Sequence, residues 1–354
     1  MNLPSAQEPY QALAMQTTCP AVNMMSVSDA RDAMLATISR VGQHLAGSIG
    51  FLNSFSGGAT RLAVLPEYFL TSFPLGESIP EWQAKACVTM DGAEYEALGA
   101  IAQKHRIYLS GNLYEIDPSF PSLYFQVSFV IDPSGDVILR YRRLISMYAP
   151  TPHDVLDAYL DIYGSDGLFP VAQTDVGRLA CVASEEILYP EIARAHVLRG
   201  AEVLCHSSSE VGSPQLTPKN IAKRARAYEN MIYVVSANSA GITGIPFPAA
   251  STDGHSQVVD FKGQILGEAS PGESMCGNGE IDIAALRRAR RKPGMSNTLA
   301  RQRVEIAQKA FEDQSVYPAN TLAESHVSAM APERAHFQNA ISKVISDLDK
   351  RGVI

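Results

Sequence analysis

Between Gly177 and Leu204 the chain reads GRLACVASEEILYPEIARAHVLRGAEVL, a strand, a sharp turn, a helix and a second strand. Strands that alternate with helices in this way fold as layers, helices laid against a sheet. The turn between strand and helix is also where such chains expose a nucleophile. Here it offers Ser184, followed by Glu185 and Glu186, with Cys181 three residues earlier on the strand.

The same grammar runs along most of the chain. ALAMQ reads as a first strand, and the helix from Ser28, its expected N-cap, carries Met34, Ile38, Val41 and Leu45 at helical spacing with a stop at Gly47. RLAVLPEYF is a buried strand closed by Pro66-Glu67, and a helix from Tyr95 to His105 leads into RIYLSGNLYEI. Three hairpins are expected, LYFQVSFVID-PSG-DVILRYRRL, FPVAQ-TDV-GRLACVA and SQVVDF-KG-QILGEA. With the helix PKNIAKRARAYEN and the strand MIYVVSAN, they give an α/β fold with mixed sheets over residues 1–314. Residues 315–354 differ: a polar, extended arm precedes a helix with Phe337, Ile341, Val344, Ile345 and Leu348 on one face. That face has to cover its own domain or a partner subunit.

Bulk properties exclude several functions. A formal charge of −8 and a pI near 5.5 argue against nucleic acid or an anionic membrane as partner. The basic run RRARRK at Arg287–Lys292 reads as a solvated helix end. No apolar run reaches the ~18 residues of a membrane span, and the first residues lack a basic head and apolar core, so no secretory signal is expected. The cysteines Cys19, Cys87, Cys181, Cys205 and Cys276 lack C-x-x-C spacing. They read as unpaired thiols of a cytoplasmic protein. Neither a Gly-rich phosphate loop nor metal-ligand spacing is present, so no cofactor and no metal is expected.

Three strands end on polar residues, Glu67 after LAVLP, Arg143 after VILRYR and Ser184 after LACVA. Strand ends along one sheet edge are where α/β folds gather their sites. Each residue also has a plainer reading: Glu67 as a surface carboxylate, Arg143 on a solvated alternating face, Ser184 as a helix N-cap. Together, Pro66-Glu67, Tyr141-Arg142-Arg143, Ser184 with Tyr189-Pro190-Glu191, ARAHVLRGAEVL and RARAYENMIYVVSAN resemble the nitrilase superfamily of carbon–nitrogen hydrolases. The resemblance runs from about Ala12 to Leu286.

It implies an αββα sandwich, completed as four layers across a homodimer or a higher homo-oligomer. It also implies a small amide, nitrile or carbamoyl compound as substrate or ligand, and a Glu-Lys-Cys site in which the cysteine attacks and the glutamate is the base. This sequence departs at two of these positions, with Ser184 for the cysteine and Arg143 for the lysine. A serine hydroxyl is a far weaker acid than a thiol and needs an aligned base. Arginine keeps the charge but cannot yield a proton, and its planar fork is expected to clamp Glu67 bidentately. Glu186, His153 and Tyr189 are the candidate substrate-binding residues that the resemblance adds; Arg226, Glu229 and Asn230 read as structural ties. Cys181 and Cys205 read as small buried hydrophobes. Three readings stand: an enzyme with a Glu67/Arg143/Ser184 site, a catalytically silent homologue that binds a ligand or an assembly partner, or a Cys→Ser variant made to trap substrate, the last of which leaves Arg143 unaccounted for.

Overall fold

The computed structural model describes residues 8–252, 254–312, 314–323 and 334–354. Its first half runs β1 (Tyr10–Ala14), β2 (Thr18–Pro20), α1 (Val27–Phe55), β3 (Thr60–Val64), α2 (Ile79–Ala86), α3 (Ala93–His105), β4 (Tyr108–Ile116), β5 (Tyr124–Ile131) and β6 (Val137–Arg142). Then come α4 (Leu156–Tyr163), β7 (Ala172–Thr174), β8 (Gly177–Ala183), α5 (Pro190–Leu198), β9 (Val203–Ser208), α6 (Pro218–Asn230) and β10 (Tyr233–Asn238). The chain continues through β11 (Gly241–Thr243), β12 (Gln257–Val259), β13 (Ile265–Glu268), β14 (Asn278–Ile281), α7 (Ile283–Arg291), α8 (Val304–Phe311) and α9 (Arg334–Lys350).

Two mixed six-stranded sheets result, ordered β14-β1-β3-β4-β5-β6 and β13-β12-β10-β9-β8-β7. Alternation along the strands assigns their faces. Ala12, Ala14, Leu62 and Val64 join Leu179, Cys181, Val203 and Val235 in a core between the sheets, and the alternate residues Ala180, Val182, Leu204 and Val234 turn outward onto Ile192, Val197 and Ala227 of α5 and α6. The intervening Leu13, Ala63 and Leu65 turn outward onto Met34, Ile38, Val41 and Leu45 of α1. With both faces covered, strands such as β5 and β8–β10 are almost wholly apolar or buried throughout. Among the described residues one chain supplies all four layers, α1 and α3 on one sheet and α5 and α6 on the other, so the four layers do not require the second copy expected from the sequence to complete them.

Other expectations shift locally. The N-cap of α1 is Ser26, whose side chain accepts from the Asp29 amide, and the helix passes through Gly47 to Phe55 because Ile49 and Leu52 extend its buried stripe. The basic run is only partly solvated. Arg287 grips the fully buried Glu202 at 2.7 Å and 2.9 Å, while Arg290 donates to the carbonyls of Met231 and Ala201. At the other end of the chain, α9 buries Phe337 among Phe120, Phe125, Tyr159 and Leu322. Farther along the same predicted face Ile341, Val344 and Leu348 are half-buried and Ile345 is 53% exposed. Residues 324–333 of the expected arm lie outside the described residues.

Candidate active site

Three residues beyond β3, Glu67 is 2% exposed. Its amide donates to the Ser208 carbonyl at 3.2 Å, which ties the end of one sheet to the other. Backbone strain marks this turn: Tyr68 and Ser72 hold φ of +36° and +66°, a region that non-glycine residues rarely occupy. Glu67 Oε1 accepts from Gln126 Nε2 at 2.9 Å and from Arg143 Nη1 at 3.2 Å. Glu67 Oε2 is buried and has no hydrogen-bond partner among the described residues. An unsatisfied buried carboxylate oxygen costs on the order of 1–3 kcal/mol, so its persistence in a fold invites a ligand explanation.

Arg143 follows the last residue of β6 and points inward. Its fork does not clamp Glu67 bidentately, and this corrects the sequence expectation. Nη1 is shared between Glu67 and Gln126 Oε1 (2.6 Å), Nη2 reaches Glu185 Oε1, and Nε donates to the Ile145 carbonyl at 2.6 Å. The acceptors are spread around the guanidinium, and that spread leaves Glu67 Oε2 unclaimed. Burial pulls against the charge, but Glu67, Glu185 and Glu186 outweigh it and hold the guanidinium above its ordinary range.

Ser184 opens the turn after β8 with φ of +48°, a left-handed conformation for a residue with a side chain. It is not the N-cap of α5; Tyr189 takes that position. His206 of β9 supports the strained peptide, its Nε2 bonded to the Ser184 carbonyl at 2.9 Å and its Nδ1 to Ser236 Oγ at 2.8 Å. Burial and the nearby Lys223 and Lys219 push His206 well below the usual histidine range, so it stays neutral. Ser184 Oγ accepts from Lys219 Nζ at 3.0 Å. Arg143 thus joins Glu67 to Glu185, the residue that follows Ser184, and the three strand ends meet in one cluster.

The matching family model, described as carbon-nitrogen hydrolase, covers residues 22–291. The chain belongs to the carbon–nitrogen hydrolase family. It is 30% identical over 228 residues to the nitrilase and fragile histidine triad fusion protein NitFhit of Caenorhabditis elegans, covering 63% of this chain and 50% of that protein. A formamidase of Bacillus cereus is 27% identical over 217 residues, 60% of each chain. The chain therefore spans half to three-fifths of these curated relatives. Its fold is similar to Saccharomyces cerevisiae Nit3, with a TM-score of 0.61 at 19% identity over 83% of this chain and 99% of that one. It is also similar to an amidase from Nesterenkonia sp., with a TM-score of 0.58 at 20% identity over 87% and 98%.

Within this carbon–nitrogen hydrolase fold the remaining sequence candidates separate. Glu186 is fully buried and both its oxygens face the protein. Oε1 accepts from Tyr141 Oη, Leu144 N and Ile145 N, and Oε2 from Ala183 N. It braces the loop after Arg143 against the Ser184 turn, and no oxygen is left for the substrate contact that the sequence suggested. Burial, opposed by Arg143 and these donors, lifts its pKa to about 7. His153 lies away from the cluster, its ring 6.0 Å from that of Tyr317 and its carbonyl accepting from Asn320. Tyr189 is 41% exposed, near enough to Glu185 and Arg143 to feel their charges.

Cys181 and Cys205 sit opposite each other in the β8–β9 register, both buried. Burial pushes the Cys181 thiol well up, which makes it a poor nucleophile. Among the described residues no group of three His, Cys, Asp or Glu side chains is placed to hold a metal ion, and no helix is long and apolar enough to cross a membrane. Sequence reasoning missed Gln126, Lys219 and Glu210. Gln126 sits mid-strand in an apolar run, an unusual place for an amide, and that was the one available signal.

Proposed function

We propose that this protein binds a small amide or carbamoyl-type compound at the Glu67/Arg143/Ser184 cluster and transfers its acyl group through Ser184 to water. The observation that carries this reading is the unpartnered, buried Glu67 Oε2 in the same cluster as the strained Ser184 turn. A substrate –NH₂ supplies the donor that Oε2 lacks. Of the five N–H donors of a guanidinium, Arg143 commits four hydrogen bonds to the protein, leaving one for a developing oxyanion. The formamidase and amidase relatives support the amide class.

The silent alternative draws on the same residue. A guanidinium so fully engaged serves as scaffold, and a ligand then binds without turnover. The two part on one experiment. Short aliphatic amides, formamide and carbamoyl compounds are offered to wild type and Ser184→Ala, with binding and ammonia release followed separately. The proposal expects ammonia from wild type alone and near-equal binding by both. Binding by both with no ammonia from either would establish the silent reading. Pairing with a second copy through α5 and α6, where Leu198, Ile221 and Tyr228 stand about half exposed, belongs to the same proposal. A monomer by light scattering overturns that part.

A further inference from the structure

A serine nucleophile needs a partner that can take its proton, and the cluster itself offers a poor choice. Arg143 does not release or accept protons in this range. Glu67 spends Oε1 on Gln126 and Arg143, and neither of its oxygens is hydrogen-bonded to Ser184. His206 meets the Ser184 carbonyl, not Oγ, and both its ring nitrogens are engaged. The side chain hydrogen-bonded to Ser184 Oγ is Lys219, at 3.0 Å. Beyond it stands Glu210, with Oε2 3.6 Å from Lys219 Nζ, and the two side chains are only 13% and 15% exposed.

Both outer members are held from behind. Lys219 is the second residue of α6, after Pro218 and the N-cap Thr217, whose hydroxyl accepts from the Asn220 amide. Pro fixes the first helical φ, so the stem of Lys219 leaves a rigid turn. Glu210 is fixed through its amide, which donates to Asn238 Oδ1 at 2.6 Å, and Asn238 Nδ2 in turn donates to the Gly254 carbonyl at 2.6 Å. Nucleophile, base and a third group that orients the base are the parts of an activated hydroxyl. Here they stand in series from β8 through α6 to the segment after β9.

We infer that Lys219 is a catalytic residue, the proton acceptor for Ser184, with Glu210 orienting it and stabilising the ammonium formed. This rests on the reading of Ser184 as an acyl-accepting nucleophile. In the uncharged form of Lys219 the bond seen at 3.0 Å reverses, so that the hydroxyl donates and Nζ accepts. As the Oγ–carbon bond forms, the hydroxyl proton passes to Nζ. Collapse of the tetrahedral adduct breaks the carbon–nitrogen bond, and the proton passes from Nζ to the departing nitrogen. Water then attacks the Ser184 ester, gives a proton to Nζ, and releases the acid as that proton returns to Oγ.

The test uses the full chain and p-nitrophenyl acetate, whose acyl group is activated enough to report the first half-reaction alone. The p-nitrophenolate burst gives the rate, and peptide mapping locates the acetyl group, with Ser184→Ala as the background. Lys219→Met and Lys219→Arg are compared, the second keeping charge and hydrogen bonding without a basic lone pair. Both are expected to slow acetylation of Ser184 by a hundredfold or more, with melting temperatures near that of wild type. Full acetylation in Lys219→Met would overturn the inference and leave the acyl-transfer reading standing. So would retention of the rate in Lys219→Arg, since charge alone would then suffice. A wild type that is never acetylated at Ser184 would bring down the acyl-transfer reading and the inference together, a pattern unlike either variant result.

Discussion

Arg142 and Arg143 are neighbours at the end of β6, yet one closes a structural joint and the other borders the candidate site. Arg142 is 4% exposed and donates to Asp117 Oδ2 at 2.6 Å and to the hydroxyls of Tyr159 and Tyr163, with its guanidinium 4.4 Å above the Tyr163 ring. Asp117 is filled on both oxygens, Oδ1 by the Ser119 amide and Oδ2 also by Tyr163. On the Arg143 side the corresponding acid, Glu67, keeps an oxygen without a donor, and the nearby backbone is strained at Tyr68, Ser72 and Ser184. A carboxylate sealed on all sides joins β6 to α4; one left open on one side has room for a ligand. Strand alternation sends the two arginines to opposite sides, and their surroundings decide the rest.

The largest effect should come from breaking the sealed side. Arg142→Ala strands Asp117 in a buried position and should lower stability by about 3–5 kcal/mol, measured by urea unfolding. A loss near that of a surface substitution would erase the contrast between the two arginines.

The next test is pH. Folding raises the pKa of Glu186 from the ordinary carboxylate value of about 4.3 to about 7, burial outweighing Arg143 and the donors around it. The folded state then holds a proton that the unfolded state has lost. Stability contributed by this group is full below the ordinary value, falls as pH rises through the window, and is gone above about 7. Glu186→Gln cannot titrate. The wild-type stability minus that of Glu186→Gln should therefore fall by roughly 3–4 kcal/mol across the window. A difference that stays flat with pH would mean that Glu186 is ionised throughout.

Smaller changes follow on the open side. Arg143→Lys keeps a cation but cannot bridge Glu67, Gln126 and Glu185 together, and should cost about 1–2 kcal/mol. A cost equal to that of Arg142→Ala would make Arg143 as structural as its neighbour. Smallest of all, Ser184→Gly should gain up to about 1 kcal/mol by relieving the positive φ, read as a rise in melting temperature, while removing any acyl chemistry. A fall in melting temperature would mean that the Lys219–Ser184 bond outweighs the strain.

The layered fold was legible because local patterns carry it. Continuous apolar runs such as RLAVLPEYF and MIYVVSAN, helical spacing in the α1 region, and turn residues at the hairpins each determine their own element. The sequence also placed Glu67, Arg143 and Ser184 at strand ends, which is enough to suggest one cluster. It misplaced the cap and the end of α1, because a glycine in an exposed helix position costs only about 1 kcal/mol and the buried Ile49 and Leu52 outweigh it.

Tertiary structure alone decided which atoms meet. Whether Arg143 would grip Glu67 with both arms or divide them depended on Gln126 and Glu185, which two other elements deliver to it. Local pattern does not separate Glu185 from Glu186, and the resemblance favoured Glu186 for the ligand; in the fold Glu185 faces Arg143 with a third of its side chain exposed, while Glu186 is sealed under four donors. Lys219 has no local mark at all, since it reaches Ser184 across 35 residues only when α6 packs beside the β8 turn. Strand and helix periodicity come from short-range sterics and burial, which a sequence states directly. The partners of a polar side chain come from the packing of distant elements, and that packing exists only once the sheets have met.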